Sequence, residues 1–205
     1  VKALDVEKEI IVVDDCSTDG TREWLKEQDG QGIRVFFHER NRGKGAALRT
    51  GFSQVTGDVV VPQDADLEYD PQDLLHLLVP IKRGVADAVY GSRLIGGAPQ
   101  RVHLFWHRVG NNFLSFLTNL MYNSTLSDME TCYKMIRVDA LRDLSLSSDG
   151  FSIEPEITAK ILKRKLRVYE MPIAYYGRTY EEGKKINWRH GFGAIWTLLK
   201  YRFSD

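Results

Sequence analysis

Two aspartates separated by one residue lie shortly after an apolar run in the first third of the chain. Asp64 and Asp66, with Ala65 between them, follow the run 59–61. That run predicts a parallel strand, and open α/β sheets bind ligands at the carboxyl ends of such strands. Two carboxylates on a short loop suit Mg²⁺ or Mn²⁺, which would bridge diphosphate oxygens and stabilise a departing nucleotide. The pattern predicts a metal site, although ordinary turn hydrogen bonds would explain the same two residues.

A second acidic pair stands at the end of the first predicted strand. Asp14 and Asp15 follow the β-branched run 9–13, and the segment 17–21 behind them is rich in helix-capping residues. In a parallel sheet this position opens into the same crevice as Asp64, so the pair is a candidate for hydrogen bonds to a base or a ribose. Capping of the next helix explains the same residues equally well.

Several basic residues lie in predicted loops where they could meet phosphates. Lys44 stands in a glycine-rich turn that matches neither GxxxxGK[ST] nor GxGxxG, which disfavours kinase and dehydrogenase functions. Arg93 ends another predicted strand, and Arg178 and Lys184 lie in a loop that contains glycine. These cations could clamp phosphates, although most runs of charge are solvated surfaces.

Composition narrows the chemistry further. Lys plus Arg equals Asp plus Glu, 28 against 28, which disfavours nucleic-acid binding because phosphate backbones require a basic excess. The five histidines lack metal-ligand spacing, the two cysteines form no CxxC pair, and no GxSxG occurs, so covalent catalysis is not indicated. No run approaches the roughly 20 apolar residues that span a bilayer. The sparse cysteines fit a reducing compartment, so we expect a cytoplasmic location.

The candidate residues need a sheet to bring them together, and the chain length predicts one domain. Alternating β-branched runs and helical patterns are typical of an α/β protein with a parallel sheet. Strands are predicted at 9–13, 33–37, 58–61, 86–90, 132–138 and 166–176. Helices are predicted at 22–28, 46–55, 71–83, 105–121 and 154–165. A last helix, 188–203, mixes aromatic and basic residues as amphipathic helices on membrane surfaces do.

Five motifs, taken in their order along the chain, carry a resemblance to a known family. They are VVDDCSTDGT (12–21), NRGKGAALRTG (41–51), QDADLEYDP (63–71), GSR (91–93) and DMETCYK (128–134). Together they resemble family 2 glycosyltransferases over nearly the whole chain. Within that family the chain is most similar to the dolichyl- or polyprenyl-phosphate hexosyltransferases, the mannosyltransferases above all. The segment 176–191 is the part of the sequence that best distinguishes this group from other members of the family.

The resemblance implies an α/β fold of the GT-A type, with a Rossmann-like, mostly parallel sheet flanked by helices. It implies a catalytic domain over residues 1–187 and an amphipathic membrane-surface helix over 188–205. Family members begin with a strand that carries a PxYNE-like segment, which is not found in this sequence. We therefore expect a fold that lacks its first βα unit, and with it part of the donor site.

The resemblance also assigns residues to the donor. It implies Asp14 and Asp15 at the nucleoside, Lys44 near the nucleotide pocket, Asp64, Ala65 and Asp66 at the diphosphate, and Arg178 and Lys184 approaching it. The implied cofactor is Mg²⁺ or Mn²⁺, bound by Asp64 and Asp66. For the acceptor phosphate, the resemblance implies contacts from Arg93 and from Arg101 or Arg108.

The activity implied is inverting transfer of mannose or glucose, from GDP-mannose or UDP-glucose, to a polyprenyl phosphate at the cytoplasmic membrane surface. A phosphate monoester is already an anion near neutral pH, its second pKa being about 6, so it needs a base less than a sugar hydroxyl does. In relatives that act on hydroxyls the region of Asp128 and Glu130 carries a base, and here these residues could orient the acceptor or cap a helix. Two alternatives stay open: transfer to a saccharide hydroxyl with Asp128 or Glu130 as the base, and nucleotide-sugar binding without turnover.

Overall fold

The computed structural model of the protein describes residues 1–102, 105–179, 181–182 and 189–204. The strands are β1 (Ile11–Asp14), β2 (Arg34–Phe37), β3 (Val59–Val60), β4 (Ala88–Ser92), β5 (Lys134–Arg137) and β6 (Val168–Pro172). The helices are α1 (Thr21–Gln28), α2 (Lys44–Phe52), α3 (Asp73–Lys82), α4 (Phe105–Tyr122), α5 (Val138–Arg142), α6 (Ile153–Lys163) and α7 (Arg189–Phe203). Lys184, which was assigned to the donor, and residue 188 of the last predicted helix lie outside the described residues.

Within the described residues the strands form two sheets. In the first, β1 and β2 run parallel with Ile11 opposite Arg34. In the second, the order is β3-β5-β4-β6, and β4 and β6 are parallel with Ala88 opposite Val168. The prediction of an α/β protein is confirmed, and the expectation of a missing βα unit stays a prediction.

One strand departs from the mostly parallel sheet that was expected. β5 is antiparallel to both of its neighbours, with Val89 opposite Met135. The loop before β5 lies at the carboxyl end of β4, where the Arg93 amide donates a hydrogen bond to Asp128. Because β5 starts at the end where β4 stops, it must run back along the sheet in the opposite direction.

The sheet is covered on both faces, and β4 is buried along its whole length. On one face, Val89 packs in a cluster with Leu77 of α3 and Ile173. On the other face, Tyr90 packs with Ile157 of α6 and its neighbours. A strand covered on both sides is apolar on both faces, which is why residues 88–90 of β4 are all apolar, with no alternation. Burial of each large aliphatic side chain contributes about 1.5–3 kcal/mol.

The last helix packs into this core. Leu198 and Tyr201 of α7 join Leu114 and Tyr122 of α4 in a third buried cluster. The Tyr122 hydroxyl donates a hydrogen bond of 2.7 Å to the Leu198 carbonyl, which satisfies a buried polar group. The inner face of α7 therefore belongs to the same folded body as the sheet.

Two glycines let the start of α2 approach the loop before α6. Gly43 has a φ of 92°, which favours glycine, and a Cβ placed on it would lie 2.6 Å from the backbone oxygen of Asp149. A Cβ on Gly45 would collide with the backbone oxygen of Ser148. The Ala46 amide donates a hydrogen bond of 3.0 Å to the same Asp149 oxygen, so the two segments are locked together.

This contact predicts an asymmetric response to alanine. Gly45→Ala should lower the free energy of unfolding by roughly 1–3 kcal/mol, because backbone must move to admit the methyl group. Gly110→Ala, inside α4 with open space around it, should leave stability unchanged or raise it by up to about 1 kcal/mol, since alanine favours helix. Urea denaturation of both variants measures their free energies of unfolding. Equal midpoints for the two variants would contradict the close contact.

Candidate active site

The aspartates of the metal loop, which we define as residues 64–66, lie beyond the end of β3. Their side chains are 31% exposed for Asp64 and 24% exposed for Asp66, so a ligand can reach both. Asp66 Oδ1 accepts a hydrogen bond of 3.2 Å from the Glu68 amide, so the turn interaction that was the alternative explanation is present on one oxygen. Burial, together with the charges of Glu68 and Asp64, raises the pKa of Asp66.

These carboxylates fit a hard divalent cation. After burial, the negative charges of Glu68 and Asp64 add to the raised pKa of Asp66, and a bound cation would offset that repulsion. In the described part of the chain no group of three or more His, Cys, Asp or Glu side chains is arranged to hold a metal. Mg²⁺ is commonly bound by one or two carboxylates, with substrate phosphates and water completing the shell. Asp64 and Asp66 would supply those two ligands.

Two cations contact the metal loop from different elements. Lys44, at the start of α2, places Nζ 2.9 Å from Asp64 Oδ2, and Arg178 places NH2 3.1 Å from Asp66 Oδ2. Although burial opposes the charge on Lys44, Glu154 and Asp64 raise its pKa well above its ordinary value. Lys44, predicted near the nucleotide pocket, and Arg178, predicted to approach the diphosphate, are therefore both brought to the predicted metal ligands.

Asp15 holds the loop that carries Lys44. Its Oδ1 accepts hydrogen bonds from the Arg42 amide at 2.9 Å and from His38 Nδ1 at 2.7 Å, and its Oδ2 accepts one from the Gly43 amide at 2.7 Å. Although burial works against ionisation, these hydrogen bonds lower the pKa of Asp15. The carboxylate is ionised and oriented at neutral pH. Sequence reasoning missed His38, because it looked only for metal-ligand spacing among histidines.

Asp14 faces the protein interior. Its Oδ1 accepts a hydrogen bond of 3.1 Å from the Ser17 amide, and its Oδ2 lies 3.3 Å from Arg22 NH1. The α1 helix that follows has no side-chain N-cap, so neither carboxylate caps it. These contacts order the loop between β1 and α1, and a role for Asp14 and Asp15 at the nucleoside stays a prediction.

Arg93 and Asp128 form a buried bidentate pair. Arg93 Nε and NH2 each lie 2.7 Å from an Asp128 oxygen, and the Arg93 amide donates to the same carboxylate at 3.0 Å. Asn111 adds a fourth hydrogen bond of 2.8 Å. Against the effect of burial, Arg93 lowers the pKa of Asp128. Asp128 is thus an ionised carboxylate whose oxygens are engaged within the protein.

Glu130, two residues further on, differs from Asp128 in its hydrogen bonding and in the direction of its pKa shift. It is partly exposed, and its Oε1 is buried without a hydrogen-bond partner in the described residues. Burial raises the pKa of Glu130 to about 7, with Glu154 and Asp128 adding to the shift and Lys134 opposing it. A carboxyl group that exchanges a proton near neutral pH has the property of a general acid or base.

A buried ion pair lies between Glu130 and the metal loop. Lys134 is fully buried, and its Nζ donates to Glu154 Oε2 at 2.9 Å and to the Thr131 carbonyl. The other oxygen of Glu154 lies 3.1 Å from Lys44 Nζ, as an ion-pair contact rather than an aligned hydrogen bond. Sequence reasoning missed this pair. The one available signal was a lysine inside the apolar strand 132–138.

The cations assigned to the acceptor occupy different places. Arg93 is committed to Asp128, and Arg101 NH1 lies 2.7 Å from Glu182 Oε2 on the surface. Arg108 of α4 lines a cavity of about 350 Å³. The other lining residues are Leu94, Asn112, Ser115, Phe116, Asn119, Leu126 and Ser127. Arg108 thus lines a cavity that could receive a ligand, and contacts of all three with an acceptor stay predictions.

Solved structures define the class of fold. The chain is similar to glucosyl-3-phosphoglycerate synthase from Mycobacterium tuberculosis, crystallised with Mn²⁺, uridine diphosphate and phosphoglyceric acid. The TM-score is 0.70 at 19% sequence identity, and the match covers 96% of this chain and 68% of that one. The fold is therefore α/β of the GT-A type, as the sequence predicts.

The family follows from the sequence match. Residues 2–145 match Glycosyl transferase family 2, and the chain belongs to that family. It is 32% identical over 198 residues to the low-salt glycan biosynthesis hexosyltransferase Agl6 of Haloferax volcanii, covering 95% of this chain and 47% of that protein. It is 29% identical over 222 residues to the undecaprenyl-phosphate mannosyltransferase of Micrococcus luteus, and this match covers 97% of this chain and 88% of that protein. The chain thus spans about half the length of the first relative and most of the second.

The titration of Glu130 predicts a pH-dependent stability difference. Its pKa is raised in the folded state, so its contribution to stability is complete below about pH 4.5 and is lost as the pH rises through about 7. The glutamine in the Glu130→Gln variant cannot ionise, so the variant does not lose this stability as the pH rises. Between pH 5 and pH 8 the variant should therefore gain on the order of 2 kcal/mol relative to the unsubstituted protein in urea denaturation. Parallel pH profiles for the two proteins would contradict the raised pKa.

Proposed function

We propose that the protein transfers a hexose, with inversion, from a nucleoside diphosphate sugar to a polyprenyl phosphate. The observation that carries this proposal is the position of Lys44. Its loop is held by Asp15, and its ammonium group contacts Asp64. Lys44 thus links the loop after β1 to the metal loop after β3, which supports a single donor site formed by both.

The donor side of this site suits a diphosphate leaving group. A divalent cation bound by Asp64 and Asp66 would neutralise charge on the departing nucleoside diphosphate. Lys44 and Arg178 place two further positive charges at the same loop. Cationic groups that are already oriented before reaction stabilise developing negative charge without the cost of reorganising solvent.

The acceptor side suits an anion that needs no base. Asp128 is held ionised by Arg93 and Asn111, so it is committed to ordering this loop. A phosphate monoester attacks without giving up a proton, because it is already ionised near neutral pH. The cavity beside α4, with Arg108 at its edge, supports a place for that phosphate. The name of the Micrococcus luteus relative, an undecaprenyl-phosphate mannosyltransferase, supports the same acceptor class.

Exposed apolar stripes on α4 and α7 support a location on a membrane surface. Five exposed apolar side chains of α4 recur every three or four residues, and they are Trp106, Val109, Phe113, Phe116 and Leu120. Those of α7 follow the same spacing and are Phe192, Trp196, Leu199 and Phe203. The two helices pack together through their inner faces. Among the described residues, no helix has both the length and the apolar character needed to cross a bilayer. A peripheral, cytoplasmic-face association would bring the site to a lipid acceptor.

Activity tests the proposal directly. The protein should convert radiolabelled GDP-mannose or UDP-glucose into lipid-linked sugar when a polyprenyl phosphate and Mn²⁺ are supplied. Asp66→Asn should reduce the rate by about 100-fold or more, the usual cost of removing one preorganised electrostatic contact. Asp139→Asn, at an exposed carboxylate paired with Arg137, is the matched control and should be neutral. Failure to form lipid-linked sugar from either donor would refute the proposed function.

The membrane location has its own test. Trp196→Ser on α7 should reduce binding to anionic lipid vesicles on the order of thirty-fold, because insertion of a large apolar side chain contributes about 2 kcal/mol. Trp24→Ser on α1 is the control, since Trp24 is 57% exposed against 68% for Trp196 and lies on a different helix. Vesicle sedimentation measures the bound fraction. Equal losses for the two variants would argue against a membrane surface formed by α4 and α7.

Glu130 favours a second candidate function, transfer to a saccharide hydroxyl. Its buried oxygen, which has no hydrogen-bond partner in the described part of the chain, and its pKa of about 7 are the properties of a base that takes a hydroxyl proton. Glu130→Gln separates the two candidates. Loss of transfer at unchanged donor affinity would support the hydroxyl acceptor, whereas retained transfer to a polyprenyl phosphate would support the first.

A further inference from the structure

Each of two cations at the metal loop is shared between two carboxylates of unequal exposure. Lys44 Nζ lies 2.9 Å from Asp64, whose side chain is 31% exposed, and 3.1 Å from Glu154, whose side chain is 4% exposed. Glu154 is also paired with the fully buried Lys134. The buried partner of Lys44 is therefore fixed in the core, while the exposed partner faces the site.

Arg178 repeats this arrangement on the other side of the loop. Its NH2 lies 3.1 Å from Asp66, which is 24% exposed, and its Nε lies 3.1 Å from Glu68, which is 9% exposed. The Arg178 amide also donates to Glu68 at 3.0 Å, and the Tyr175 hydroxyl donates to the other oxygen of Glu68 at 3.0 Å. Glu68 thus fixes the backbone and the side chain of Arg178 together.

The two exposed partners are the predicted metal ligands. A divalent cation and a Lys or Arg side chain repel each other when they share one carboxylate. A metal that binds Asp64 and Asp66 therefore weakens their attraction for Lys44 and Arg178 and favours the release of both cations. The negative charges of a diphosphate can then take up the displaced cations.

We propose that Glu154 and Glu68 are positioning residues that retain Lys44 and Arg178 at the site while these cations exchange Asp64 and Asp66 for the donor diphosphate. This inference rests on the proposed function, because it needs a metal and a diphosphate donor. Bare metal then binds against the competition of two cations. Metal together with a nucleoside diphosphate binds with their help.

If this exchange occurs, Arg178→Ala should strengthen the binding of Mn²⁺ alone and weaken the binding of Mn²⁺ together with a nucleoside diphosphate. Without its competitor, Mn²⁺ alone should bind on the order of thirty-fold more tightly, as expected for a divalent cation about 4 Å from one unit charge in a solvated site. Mn²⁺ with UDP or GDP should bind about ten-fold more weakly, since one charge-assisted contact to the diphosphate is lost. Electron paramagnetic resonance of free Mn²⁺ measures the first affinity, and calorimetric titration of UDP or GDP at saturating Mn²⁺ measures the second.

Glu68→Gln tests the positioning role. In the unsubstituted background it should weaken the Mn²⁺-dependent binding of UDP or GDP several-fold, and in the Arg178→Ala background it should have no further effect. Such non-additivity identifies residues that act through one another. A purely structural role for Glu68 would weaken binding equally in both backgrounds, which would overturn the proposal. Arg137→Ala, at a surface ion pair with Asp139, is the control and should change neither affinity.

The outcomes separate this inference from the proposed function. If the unsubstituted protein binds neither UDP nor GDP in the presence of Mn²⁺, both fail. If it binds one of them but Arg178→Ala weakens Mn²⁺ and nucleotide binding alike, only the exchange fails. Should Arg178→Ala lower the melting temperature enough to prevent measurement, Lys44→Gln provides the same test at the other cation. Tighter binding of bare Mn²⁺ with weaker nucleotide binding is again the expected result.

Discussion

The ammonium group of Lys44 is the contact on which the site depends. It stands between the partly exposed Asp64 and the buried Glu154, at the start of a helix whose first turn is anchored by Asp15. Removing one partner from such a group leaves an uncompensated charge, which costs far more than a surface pair contributes. Through this one cation, the end of β1, the loop after β3 and the helix α6 are held in a single arrangement.

A second group of charges lies on the acceptor side and differs in kind. Arg93 and Asp128 satisfy each other almost completely, whereas a buried oxygen of Glu130 has no hydrogen-bond partner among the residues that the structure describes. Two carboxylates two residues apart therefore have pKa values displaced in opposite directions. The difference follows from their partners, since an adjacent guanidinium favours ionisation and apolar burial opposes it. The rigid pair gives the loop its shape, and Glu130 keeps its freedom to exchange a proton.

Much of the frame could be predicted from the sequence, because it depends on local patterns. Apolar runs located the strands, and motif order identified the family and the loops after β1 and β3. The bounds were less accurate: α5 was not predicted, because its first residue, Val138, extends an apolar run that resembles strand. The ion-pair partners of the charged residues were the hardest feature to predict. The contact of Glu154 with Lys44 and Lys134 joins residues more than 100 positions apart in one case, and no periodicity in the sequence encodes such a contact.

The reversed direction of β5 has a consequence for how active-site segments are found by inspection. In an all-parallel sheet, residues that meet a ligand follow their strands, and a reader scans the letters after each apolar run. Here Asp128 and Glu130 come before their strand, yet they reach the same rim as the residues that follow β4. One inverted strand lets a segment on its amino-terminal side contribute to the rim. Searches restricted to the positions that follow each strand would overlook Asp128 and Glu130.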